Sequence, residues 1–113
     1  MNREKVISEF ISAFQSRNID RFLSHMTNDF TWVDGDGAVV ADSLKTFGLL
    51  IEGLWAAEPD LKNTVGQSVE IGDFLAHTES FWDYTDGHTE DYLWVYEFEG
   101  IKIVKMIGYL VKH

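Results

Sequence analysis

Between Phe74 and Phe98 the chain reads FLAHTESFWDYTDGHTEDYLWVYEF, two runs of β-branched and aromatic residues on either side of Asp86-Gly87. That dipeptide accepts the positive φ angles of a two-residue hairpin turn at low cost. A hairpin closed there sets Phe81 opposite Tyr92, Glu79 opposite Trp94 and His77 opposite Tyr96. Side chains alternate along a strand, so all six share one face. The other face carries Ala76, Thr78, Ser80, Trp82, Leu93, Val95 and Glu97. One side of this ribbon is a wall of rings holding a histidine and a carboxylate, and the side that turns inward decides what chemistry the interior can hold.

The remaining segments supply what the ribbon packs against. From the candidate N-cap Asn2, the residues Val6, Ile7, Phe10, Ile11 and Phe14 recur at helical spacing. After a polar break at 15–17, Asn18 or Asp20 caps a short second helix with Ile19, Phe22, Leu23 and Met26 on one side. His25 falls on its polar face. Residues 28–34 alternate as a strand and end at Gly35-Asp36-Gly37, which leaves Asp34 at the exit on the same side as Trp32. Asp42 or Ser43 opens a third helix bearing Leu44, Phe47, Leu50, Ile51, Leu54 and Trp55, and Pro59 marks its end. Gly48 and Gly53 within it each cost about 1 kcal/mol relative to alanine, a cost that close backbone packing would explain. Strands then follow at 63–71, in the hairpin and at 101–111, with turns at Gly72-Asp73 and near Gly100. Lys102 and Lys105 cannot both face solvent on strict alternation, so a bulge near Gly100, or a lysine at the rim, is expected.

This order predicts one α+β domain over residues 1–113, with helices laid on one face of an antiparallel sheet. In the strand at 91–98, burying Asp91 and Glu97 without partners would cost several kcal/mol, so Tyr92, Trp94, Tyr96 and Phe98 should face inward. His77 and Glu79 then come in with them.

Composition narrows the classes. The chain is 45% apolar and contains no cysteine, which excludes disulfides and thiolate chemistry and fits a reducing, cytoplasmic setting. A net charge of −10 with no basic stripe argues against nucleic acid. No apolar run approaches the roughly 20 residues of a membrane span. No cofactor motif is present, and Asp34, His77 and Glu79 are thin support for a metal site.

The order of elements, with WVDGDG after the second helix, EPDL after the third and VYEFEGIKIV before the last strand, resembles the SnoaL-like branch of the nuclear transport factor 2-like superfamily. The similarity spans the whole chain. It implies a cystatin-like cone in which three N-terminal helices close against a curved, mostly antiparallel sheet around a deep pocket. Its relatives include polyketide cyclases, ketosteroid isomerases, scytalone dehydratases, limonene epoxide hydrolases and binding-only proteins, so the resemblance carries fold further than activity. Asp34 falls where the isomerases keep their general-base aspartate. Phe10 and Trp94 stand where their oxyanion donors, a tyrosine and a protonated aspartate, would fall. The chain has no arginine after Arg21 for epoxide hydrolase chemistry, and no carboxylate after residue 100 for the cyclase mechanism.

If the ring-rich face points inward, Asp34, His77 and Glu79 converge on an apolar cavity walled by Phe10, Phe14, Trp32, Trp55, Phe81, Tyr92, Trp94 and Tyr96. Desolvation there raises a carboxylate's pKa, and a histidine beside it stays charged, so that one group removes a proton from carbon next to a carbonyl while another steadies the enolate. The expected ligand is a small hydrophobic molecule and the expected class a cofactor-independent cyclase or isomerase. The alternative is a non-catalytic binding or dimerisation module of the same fold. In that reading His77 and Glu79 pair with each other or with Lys105, and Asp34 caps its glycine loop. His88 and His113 lie in a turn and at the terminus. The outward face, with Trp82, Tyr84, Leu93, Val95 and Ile107 or Tyr109, is too apolar for a solvated sheet and predicts a homodimer.

Overall fold

The computed structural model of the chain describes residues 2–111; His113 lies outside them. The elements run α1 (Arg3–Gln15), α2 (Ile19–Leu23), β1 (Met26–Asp34), β2 (Val39–Ala41), α3 (Leu44–Ala57), β3 (Lys62–Val65), β4 (Val69–Ile71), β5 (Phe74–Trp82), β6 (Glu90–Glu99) and β7 (Lys102–Val111). Each helix begins with a side-chain cap. Asn2 accepts from Lys5 N, Asn18 from Arg21 N and Ser43 from Thr46 N, satisfying amides that the first turn leaves without partners. Pro59 and the Glu58 cap end α3 as its sequence predicts. Only α1 and α2 precede the sheet; α3 is inserted after β2.

The strands form one sheet in the order β2-β1-β7-β6-β5-β3, with β4 also on β5. All pairs are antiparallel except β1 with β7. The helices bury Val6, Ile7, Phe10, Ile11, Phe22, Phe47, Ile51 and Trp55 against Phe30, Leu75, Trp94, Tyr96, Phe98, Ile103 and Met106 of the strands. The ring-rich face of the hairpin therefore points inward. Tyr96 is 1% exposed and Leu93, on the opposite side, 37%.

Several local expectations need correction. The β5–β6 connection is the loop 83–89 rather than a two-residue turn, and the register is His77 opposite Trp94 and Glu79 opposite Tyr92. Asp83 adopts φ 63°, which no strand continues, and Gly87 N donates to Tyr84 O, so the tight turn spans 84–87, one residue earlier than expected, and the pairing slips by two. The slip is two residues, a full period of alternation, so the side chains of the paired strands keep their predicted faces; Tyr84, expected on the outward face, instead lies in the loop beyond β5 and turns inward.

The strand expected at 63–71 is broken into β3 and β4. At the break, Gly66 N donates to Thr78 O, and a Cβ at Gly66 would stand 2.3 Å from Thr78 Oγ1. Met26 belongs to β1 rather than to the α2 stripe, and His25 follows α2, 3.7 Å from Glu9. The short strand β2 carries only three residues and has no period to read. The bulge expected near Gly100 is present: Glu97 pairs Lys105 while Phe98 pairs Ile103, which leaves Val104 as the extra residue.

The two glycines of α3 differ. A Cβ at Gly48 would meet Leu23 Cδ1 at 3.1 Å, so α2 and α3 use the space a side chain would take. Gly53 is exposed with nothing within 4 Å of that position. Gly53→Ala is therefore expected to stabilise the fold by about 1 kcal/mol, read as a higher urea midpoint at unchanged slope.

Candidate functional site: an aromatic cavity with one buried carboxyl

A cavity of about 290 Å³ lies between the helices and the inner face of the sheet. Phe10 and Phe14 of α1, Leu50 and Leu54 of α3, Trp32 of β1 and Phe81, Tyr92, Trp94 and Tyr96 of the hairpin line it. Trp55 sits behind this wall, its ring 5.7 Å from Phe14 and 6.2 Å from Phe22. Tyr92 and Trp94 stack at 5.0 Å, and Trp94 meets Trp32 at 5.9 Å. Among the described lining residues the ionisable groups are Glu79, Glu90 and three tyrosines; none is Lys, Arg or His.

Glu79 is 4% exposed. Its Oε2 accepts a 2.5 Å hydrogen bond from Asn63 Nδ2, reaching diagonally across from β3. Burial raises its pKa to about 7, against the opposing pull of the Asn63 amide and the Trp94 indole N–H. Trp94 Nε1 is buried and closes no hydrogen bond of full geometry. The orientation of that indole depends on Gly108. The far edge of the six-membered ring, Cζ3, lies 2.4 Å from where a Cβ on Gly108 would be, so the benzo side rests over β7 and the N–H side is turned toward β5.

His77 is 3% exposed but does not line this cavity. It faces a groove between α1 and the β3–β4 break, and its Nε2 meets Tyr96 Oη at 3.2 Å. Burial lowers its pKa to about 4. The expected charged histidine is therefore neutral at physiological pH: no anion offsets its desolvation, because Tyr96 stands between it and the cavity. Tyr96 is itself pushed well up by burial and by the nearby Glu79.

Asp34 lies at the end of β1 as expected, and its Oδ1 accepts from Asp36 N at 2.9 Å and Ala38 N at 3.0 Å. The carboxylate closes its own loop in an Asx-type turn. In sheet order β7 and β6 separate it from the strand of His77 and Glu79, roughly 14 Å at the usual strand spacing. The structure thus brings Glu79 to the cavity, His77 to its outer side and Asp34 to neither.

The sequence reading missed the cavity mouth. Tyr84 and Glu90 line it, with Tyr84 Oη donating to Glu90 Oε1 at 2.6 Å. Burial and Glu90 raise the Tyr84 and Tyr92 hydroxyls. The loop is fastened to α3, since Thr85 N and Oγ1 donate to the Glu58 carboxylate at 2.7 and 3.3 Å. Nothing local in the sequence singles out Asn63 or Glu90. Gly108 did carry a signal, because an isolated glycine inside a strand marks a close approach.

Comparison with solved structures places this geometry in a known fold. An uncharacterised cystatin-fold protein from Novosphingobium aromaticivorans superposes with a TM-score of 0.87 at 22% identity, over 96% of this chain and 97% of that one. TerC, crystallised with polyporic acid, gives 0.80 at 17% identity over 96% and 91%. A hypothetical protein of ketosteroid isomerase-like fold from Catenulispora acidiphila, in complex with trimethylamine, gives 0.77 at 14% identity over 96% and 86%. Comparison with curated proteins finds no match. At these identities the likeness establishes the fold alone, nuclear transport factor 2-like and cystatin-like. The SnoaL-like domain matches residues 7–106, from the first turns of α1 to the middle of β7, and the chain belongs to that family.

Proposed function

We propose that this SnoaL-like domain encloses a small, largely apolar organic molecule and that Glu79 exchanges a proton with it, as a cofactor-independent acid/base site of the isomerase or cyclase kind. One observation carries the reading: a carboxyl that burial raises to about 7 opens onto a largely apolar, ring-rich cavity of about 290 Å³. A base poised near the working pH offers both protonation states in useful amounts. The two ligands crystallised with structural neighbours, polyporic acid and trimethylamine, differ so much in charge that the fold does not set the ligand. Within this scheme Glu79 takes the proton, His77 positions Tyr96, and Asp34 supports its loop.

Proton exchange is measured as wash-in of deuterium next to the carbonyl of small neutral aryl ketones in D2O. Glu79→Gln is expected to slow exchange at least 100-fold while affinity for the neutral ketone is kept, and Asp34→Asn to leave the rate unchanged. Equal loss in Asp34→Asn would move the base to β1. The non-catalytic alternative has its own support. The Tyr84 hydroxyl is committed to Glu90, and that of Tyr96 pairs with His77, so neither is free to steady an enolate. A wild type that binds these compounds without exchange would favour it.

We further propose a homodimer formed through the outer sheet face, where Trp82, Leu93 and Tyr109 are between 37% and 42% exposed. Equilibrium sedimentation at micromolar concentration should give twice 13.0 kDa. The monomer mass would refute it.

A further inference from the structure

We propose that the natural ligand of the cavity carries a basic nitrogen and binds as its cation, with the aromatic walls facing the charge and Glu79 as its counter-ion. This rests on the cavity being a ligand site, the first half of the reading above, and not on the catalytic half.

Charge decides the ligand's sign. The buried Glu79 carboxyl has no cationic partner among the described residues: its hydrogen bond comes from the neutral Asn63. The groups around it are neutral or acidic on every side. They are Asn63 on β3, Tyr92, Trp94 and Tyr96 on β6, His77 behind Tyr96, and Glu90 with Tyr84 at the mouth. A buried carboxyl either keeps its proton or is paired; no cation among the described residues pairs Glu79, so the position for a positive charge is left to a ligand. An acid or phosphate would meet two carboxylates and no cation. A neutral apolar compound would fill the volume but leave Glu79 protonated and make no use of its charge.

The walls suit a cation for a second reason. Indole and phenol faces attract alkylammonium groups electrostatically, most strongly where water is excluded. Tyr92, Trp94 and Trp32 present such rings to the cavity that the carboxyl opens onto. The net charge of −10 also raises the local concentration of cations at the mouth.

Proton linkage makes the idea measurable. A protonated amine drives Glu79 to ionise, so below the carboxyl's pKa of about 7 each binding event releases a proton from Glu79 to the buffer. Affinity should rise about 30-fold from pH 5.5 to 8 and fall again once the amine itself loses its proton. The probes are N,N-dimethylbenzylamine and its carbon isostere isobutylbenzene, titrated by calorimetry at pH 6 in two buffers of different ionisation enthalpy. The amine is expected to bind at least 10-fold tighter than the isostere and to release nearly one proton. Glu79→Gln should abolish both the preference and the release while isobutylbenzene binds as before. Thermal unfolding of that variant checks that it folds, and Glu90→Gln, at the mouth, should weaken the amine only modestly.

If both probes bind equally with no proton release, the cation inference is overturned and the cavity reading stands. Binding of neither overturns the cavity reading and the inference with it. Retained amine preference in Glu79→Gln overturns the assignment to Glu79.

Discussion

Glu79→Gln is expected to turn a nearly flat profile of stability against pH into one that falls by about 3 kcal/mol between pH 6.5 and 4. The cause is a cancellation. Glu79 titrates near 4.5 in the unfolded chain and about 7 in the folded one. The folded protein therefore holds the extra proton between those values, and stability drops as pH rises from 4.5 to 7. His77 does the reverse. Its pKa is 6.5 unfolded and about 4 folded, so the unfolded chain holds the extra proton and stability drops as pH falls from 6.5 to 4. Each shift spans about 2.5 pH units, and over the shared window the two slopes offset one another.

Removing one group exposes the other. In Glu79→Gln the histidine limb remains, while His77→Gln should show the opposite slope, losing about 3 kcal/mol between pH 4.5 and 7. The measurement is the urea midpoint at half-unit intervals from pH 4 to 8, taken as the difference from wild type so that other titrations drop out. Parallel curves for wild type and Glu79→Gln would mean that the carboxyl titrates normally, and the acid/base reading would fall with it.

The helices and the inward face were legible because their signals are local or periodic. Asn2, Asn18 and Ser43 cap within three residues of themselves, and the stripe from Val6 to Phe14 needs only its own spacing. The face of the hairpin survived an error of register because side-chain direction depends on parity alone. The site was less legible. Asn63 and Glu79 are 16 residues apart in sequence and meet only through the pairing of β3 with β5. His77 and Glu79 share a face of one strand, yet the ring of Tyr96 assigns them to different sides of the cavity wall. Asp34 matched a family position while its carboxylate was taken by two amides of its own loop. Position along a strand can be read from sequence, whereas the partner a side chain finds depends on strands that pair at long range.

Gly108→Ala should cost about 3 kcal/mol and close much of the cavity, although it adds a single methyl group to a strand. The new Cβ would stand 2.4 Å from Cζ3, 2.9 Å from Cη2 and 3.1 Å from Cε3 of Trp94. That ring is 7% exposed, stacked on Tyr92 and set against Trp32, so the direction left open to it is the cavity. Gly35→Ala supplies the control. Its Cβ would meet Tyr109 Cδ1 at 2.6 Å, a comparable clash, but Tyr109 is 42% exposed in the single chain and, at a concentration low enough to keep the protein monomeric, can swing into solvent. Stability there should change by no more than about 0.5 kcal/mol. Gly108→Ala should also draw the Trp94 N–H away from Glu79, removing one of the two groups that favour its ionised form and pushing its pKa above 7. Urea unfolding reads the first effect, and carboxyl-carbon NMR of Glu79 in the folded variant reads the second. An unchanged Glu79 titration in a folded, destabilised Gly108→Ala protein would show that the indole does not act on the carboxyl, leaving Asn63 as its sole polar support.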